Sequence, residues 1–207
     1  MFNRVFVESE GHTPFYGSLG ETVVTLYPHR IREELETANS NDLIVLSGGV
    51  DIDSRLYGEP PSKYNQNPNI ARDALCLDLW KLSRERNIPV LGICRGHQLI
   101  AALKGIKLIQ HIGHDGGRRK VQLEGKFWAS IPKCHHQAVP ITKQLNILGK
   151  ASLPDGTEWI EAFTTEKNVL GVQGHPEWCD PDEDFSVRCY SWQPRRYQQS
   201  KESQRLR

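Results

Sequence analysis

The sequence predicts an α/β fold: an open, mostly parallel sheet with helices on both faces and antiparallel additions in the second half. Two observations carry this expectation. Residues 42–47 and 88–93 are nearly continuous apolar runs, the pattern of parallel strands buried on both faces. Stretches of helical periodicity alternate with them, which places helices over the sheet. Beyond residue 105 the pattern changes, and short β-like runs follow one another across Gly, Pro or Asp turns.

Taken in order, residues 4–7 and 22–27 are expected strands and 29–38 a short helix. The buried strand 42–47 stops abruptly at Gly48-Gly49. Residues 50–69, rich in Gly, Pro, Asn and Asp, read as an extended surface loop. The clearest helix spans 70–86. Ala71, Leu75, Leu79 and Leu82 belong to its apolar face, whereas Arg72, Asp73, Asp78 and Lys81 are suited to solvent. A strand over 88–93 leads into a helix over 97–104. The remaining expected strands are 106–110, 145–148, 159–164 and 169–173.

With 207 residues the chain suffices for one sizeable core but not for two ordinary domains with a linker. We expect one domain over 1–193 and a frayed tail over 194–207, which holds five basic residues and one acid. Lys plus Arg (26) nearly cancels Asp plus Glu (25), so no global field draws the molecule to nucleic acid or to an acidic membrane, and neither is an expected partner. The longest apolar runs fall far below the ~20 residues that span a bilayer. Residues 1–10 place charges on both sides of a short Val-Phe-Val run, unlike a signal peptide. Five cysteines, with no CxxC pair, point to free thiols in a reducing cytoplasm. Cys134-His135-His136 offers soft metal ligands, but adjacent side chains of an extended segment face opposite ways, so no metal is expected.

The chemistry concentrates at Gly92-Ile93-Cys94-Arg95-Gly96, where a buried strand gives way to a helix. This is the Gly-x-nucleophile-x-Gly pattern of a nucleophile elbow. A strained turn lifts the side chain above the sheet, and the flanking glycines permit close backbone approach. The thiol then stands at a helix N-terminus, whose dipole favours thiolate, and the Arg95 N–H is placed as an oxyanion donor. The competing reading is a buried core cysteine. A base is available in Gly174-His175-Pro176-Glu177, where residues two apart in an extended segment share a side, so Glu177 can orient the imidazole. An incidental His and Glu in a turn is the alternative there. Ser47-Gly48-Gly49-Val50-Asp51 offers free N–H groups at a strand end, or is no more than a tight turn.

Together LIVLSGGVDID, PVLGICRGHQLI, CHHQAV and GVQGHPEW resemble the class I glutamine amidotransferase superfamily, and most closely its γ-glutamyl hydrolase branch, peptidase family C26. The resemblance spans residues 42–178 in the right order. It implies a flavodoxin-like sheet, Cys94 as nucleophile, His175 as general base and acid, and Glu177 as the orienting third member. It also implies an oxyanion hole from the backbone N–H groups of Gly49 and Arg95, and a glutamyl pocket that includes Gln98, His136 and Gln137. Ile109-Gln110-His111 and His114 resemble the branch as well, with no role assigned. No cofactor is implied. The implied reaction is hydrolysis of a small γ-glutamyl conjugate through a γ-glutamyl thioester, with an amine or a nucleotide-linked amide as leaving group.

Three departures stand out. Residues 12–21 are rich in Gly and Pro where relatives carry a helix; Lys104-Gly105 replaces a Gly-Gly pair; and Gly174 stands where a larger side chain is common, which is expected to widen the pocket beside the leaving group. Two further readings remain. One is a glutaminase subunit that supplies ammonia from glutamine to a synthetase partner, against which Arg95 counts, because such relatives more often carry an apolar or aromatic residue there. The other is a binding module on a dead fold, which the presence of Cys94, His175 and Glu177 disfavours.

Overall fold

A computed structural model describes residues 1–8, 14–65, 67–113, 116–123, 127–165 and 168–179, with the backbone alone at 127 and 128. The expected tail 194–207, the boundary at 193, Cys189 and His114 lie outside these residues. In chain order the elements are β1 (Phe2–Val7), α1 (Pro14–Leu19), β2 (Gly20–Thr25), α2 (Ile31–Leu35), β3 (Leu43–Leu46), α3 (Ile70–Glu85), β4 (Val90–Ile93) and α4 (Arg95–Leu103). Then follow β5 (Gly117–Leu123), β6 (Phe127–Lys133), β7 (Val139–Pro140), β8 (Asn146–Ser152), β9 (Glu158–Thr164) and β10 (Val169–Val172). Short 3₁₀ turns occupy Ser54–Tyr57 and Pro176–Trp178.

The strands form one sheet in the order β2-β1-β3-β4-β10-β9-β8-β5-β6, with β7 paired to β9. The pairings from β2 through β10 are parallel and those from β10 onward antiparallel. The carboxyl ends of β3, β4 and β10 therefore lie side by side, which is where open α/β sheets build sites.

The pleat sorts alternate side chains into two cores. Val5, Val7, Leu43, Val45, Leu91 and Ile93 pack on one face with Phe15, Tyr16 and Leu19 of α1. Phe6, Ile44, Leu46 and Val90 pack on the other with Leu35 of α2, Leu79 of α3 and Leu99 and Ile100 of α4. Helices thus cover both faces. Asn69 caps α3 by accepting a hydrogen bond from the Arg72 N–H at 3.0 Å.

The antiparallel extension curls back over the α1 face. Ile131 of β6 joins the same core as Ile93 and Cys94, and the carbonyl of Pro132 accepts a hydrogen bond from the His175 N–H at 3.1 Å. Pro132 is tolerated because β6 is the edge of the sheet, where a missing N–H breaks no ladder.

Several expectations are corrected. Residues 106–110 form no strand; only an isolated bridge joins Ile109 to Ala138. Strands β5 and β6 are additional to the expected strands. Part of 12–21 forms the six-residue helix α1, begun by Pro14, whose fixed φ suits a first helical position. Asp73 is buried and Arg72 mostly so, although both read as solvent-facing. No helix among the described residues is long and apolar enough to cross a membrane.

Candidate active site

Cys94 sits at the junction of β4 and α4 with φ 48° and ψ −100°, a left-handed conformation strained for any residue with a side chain. Two contacts enforce it. The Cys94 N–H donates to the Val172 carbonyl at 2.8 Å, tying the turn to β10. A Cβ at Gly96 would fall 2.0 Å from the Leu46 carbonyl oxygen, so only glycine lets α4 start against the end of β3.

The sulfur is nearly enclosed, Cys94 being 5% exposed. Its hydrogen-bond contacts are Nε2 of Gln173 at 3.7 Å and the Cys134 carbonyl at 4.0 Å. Burial pushes the thiol up to about 12, and the charge of Glu177 adds to the rise; a hydrogen bond from the Arg95 N–H acts the other way. The Arg95 N–H favours thiolate, as expected at a helix N-terminus, but it is the smaller effect. Desolvation outweighs it and raises the thiol, so that a base is needed to take its proton near neutral pH.

The imidazole of His175 is 4% exposed and lies across the turn from Cys94. A Cβ at Gly48 would be 2.8 Å from His175 Cε1 and 3.6 Å from Cys94 Cβ, so the two groups flank one point at the end of β3. His175 Nδ1 meets Glu177 Oε1 at 2.8 Å, and Nε2 is buried without a hydrogen-bond partner among the described residues. The pair closes over the 3₁₀ turn Pro176–Trp178 rather than along an extended segment. Trp178, missed in the sequence, stacks on the imidazole with centroids 3.7 Å apart and planes 4° apart, while 55% exposed itself.

Gly49 is exposed beside this point. Gln98 turns inward, Nε2 donating to the Gln137 carbonyl at 3.2 Å and to Gln173 Oε1 at 3.4 Å. His136 Nε2 meets Asp51 Oδ2 at 3.1 Å, and Gln137 Nε2 donates to the Tyr57 hydroxyl at 3.3 Å. The segment after β6 that carries Cys134, His136 and Gln137 thus passes over the sulfur and is anchored to the loop after β3. Gln173 was also missed; its position two residues before His175 carried no motif of its own. The cysteines at 76, 94, 134 and 179 are free thiols. Among the described residues no group of three or more His, Cys, Asp or Glu is arranged to hold a metal ion.

Gly174 does not widen the pocket. A Cβ there would lie 1.9 Å from Ile131 Cγ2, so the space a larger residue would take is filled from β6.

A family model for peptidase C26 matches residues 17–177. The glutamine amidotransferase-like protein YvdE of Lactococcus lactis is 29% identical over 210 residues, covering 91% of this chain and 88% of that protein. The small chain of carbamoyl phosphate synthase from Escherichia coli is 37% identical over 99 residues, 45% of this chain and 25% of its own length. A glutamine amidotransferase from Thermotoga maritima of known structure superposes with a TM-score of 0.63 at 16% identity, covering 100% of this chain and 87% of that one.

Proposed function

The chain belongs to the peptidase C26 family, and from that premise we propose that it is a cysteine-dependent amidohydrolase that cleaves the γ-glutamyl amide bond of a small conjugate. The observation that carries this reading is the convergence of Cys94, His175 and Glu177 around Gly48 at the ends of β3, β4 and β10.

His175 Nε2 takes the Cys94 proton as the sulfur attacks the γ-carbonyl. The backbone N–H groups of Gly49 and Arg95 stabilise the tetrahedral oxyanion. Protonated His175 then passes its proton to the departing amine, leaving a γ-glutamyl thioester on Cys94. Water, deprotonated by the same nitrogen, attacks the thioester; glutamate leaves and the thiol is restored. Glu177 holds the imidazole through Nδ1, and Gln98, His136 and Gln137 shape the glutamyl pocket. With the space at Gly174 filled by Ile131, a small amine suits the leaving-group side better than a nucleotide-linked amide.

The similarity to a carbamoyl phosphate synthase small chain favours a second reading, a glutaminase subunit that delivers ammonia to a synthetase. Against it, the Arg95 side chain is fully buried and presents no charge to a docking partner. Mass spectrometry of wild type and Cys94→Ala with a panel of γ-glutamyl amides and free glutamine tests both. A glutamyl adduct on Cys94 and preferred turnover of an amide support the hydrolase. Free glutamine as the best substrate by far would overturn it, and an active Cys94→Ala protein would overturn both.

A further inference from the structure

Arg72 and Asp73 are consecutive in the first turn of α3, and neither belongs to the proposed triad. Arg72 grips the end of β3. Nε and Nη2 donate to the two carboxylate oxygens of Glu8 at 2.8 and 2.9 Å, and Nη2 also reaches Ser47 Oγ at 3.0 Å and the Gly48 carbonyl at 2.8 Å. Glu8 completes the loop by accepting from the Ser47 N–H at 2.7 Å. The guanidinium lies flat against the next residue: a Cβ at Gly49, whose φ is +152°, would be 2.1 Å from Nη1.

Asp73 grips the other turn. One carboxylate oxygen pairs with the Arg95 guanidinium, which is fully buried, and the other accepts from the Asp53 N–H at 2.9 Å. One dipeptide therefore ties down both segments that carry the oxyanion donors, the Gly48-Gly49 turn and the first residue of α4.

These pairs are poor candidates for plain stabilisation. Burying charge costs several kcal/mol per ion, and well-packed apolar replacements are often as stable or more so. A glycine turn at a strand end is mobile by default, and a donor displaced by 1 Å can lose ~10²-fold in rate. Resting on the hydrolase reading above, we propose that Arg72 and Asp73 are positioning residues of the oxyanion hole: Arg72, held by Glu8, sets the Gly49 N–H, and Asp73, through Arg95, sets the Arg95 N–H.

The test compares two reactions of one sulfur. Release of p-nitroaniline from γ-glutamyl-p-nitroanilide passes through an oxyanion; alkylation of Cys94 by iodoacetamide does not. Arg72→Lys keeps the charge but loses the forked contacts. The double change Arg72→Met with Glu8→Gln removes both charges together, and Asp73→Asn weakens the hold on Arg95. Each is expected to lower kcat by ~10- to 10²-fold, with KM and the alkylation rate within about twofold of wild type. Unchanged kcat, or alkylation falling in step with kcat, would overturn the inference and leave the hydrolase reading intact. Failure of wild type to cleave the anilide or any amide of the panel would remove both.

Discussion

Glu177 Oε1 stands 2.8 Å from His175 Nδ1, and the opposite ring nitrogen, Nε2, is buried with no hydrogen-bond partner among the described residues. A carboxylate only accepts, so Nδ1 carries the proton and the Nε2 lone pair is left for the thiol. Glu177→Gln offers an amide N–H in the same place and permits the wrong tautomer. We expect kcat for a γ-glutamyl amide to fall by ~10²-fold or more with little change in KM. A loss smaller than threefold would take Glu177 out of the mechanism.

Because burial raises the Cys94 thiol to about 12, the thiolate is a small fraction at neutral pH and grows with each pH unit. The rate of alkylation of Cys94 by iodoacetamide is expected to climb ~10-fold per unit from pH 7 to 10 without levelling, as only the thiolate reacts. A plateau below pH 8, read from the alkylation rates, would mean a preformed thiolate–imidazolium pair instead.

The parallel half of the fold and the three residues of the proposed triad were legible because each rests on a local signal. Apolar runs mark β3 and β4, the paired glycines mark the elbow, and two-residue spacing joins His175 to Glu177. What was not legible depends on distant pairing. Strand β5 carries Arg118, Arg119 and Lys120, and it becomes a strand only because β6 and β8 flank it. Arg72 and Asp73 look like solvent-facing charges on an amphipathic helix, and their partners Glu8 and Arg95 lie 64 and 22 residues away. Gly174 reads as lost bulk, yet Ile131 of β6 takes up the space.

That last relationship predicts a coupling. Gly174→Ala drives a methyl against Ile131 Cγ2, and such overpacking costs ~1–3 kcal/mol. Ile131→Ala alone opens a cavity at a cost of ~2–5 kcal/mol. The double variant is expected to be more stable than the sum of the two losses by ~0.5–3 kcal/mol in urea unfolding, since each change relieves the other. Simple additivity would show that the two sites do not share space.

Two buried histidines set an acid limit on stability. Burial lowers His97, whose ring packs against Phe163 at a tilt of 42°, to about 3, and His135 to about 4, from an ordinary 6.5. Below pH 6.5 the unfolded chain binds protons that the folded chain refuses, so stability falls as pH drops and continues to fall until the folded values are passed. The slope is about 1.4 kcal/mol per pH unit for each histidine. Between pH 6.5 and 5, above the range in which ordinary carboxylates titrate, urea unfolding should show this histidine-driven decline, offset in part by Glu161, whose carboxyl burial raises so that the folded chain takes up a proton there. His97→Asn is expected to remove about half of the histidine-driven part, whatever that substitution does to stability at pH 8, because the slope counts protons and not contacts. An unchanged slope in that variant would mean that His97 is already protonated in the folded protein.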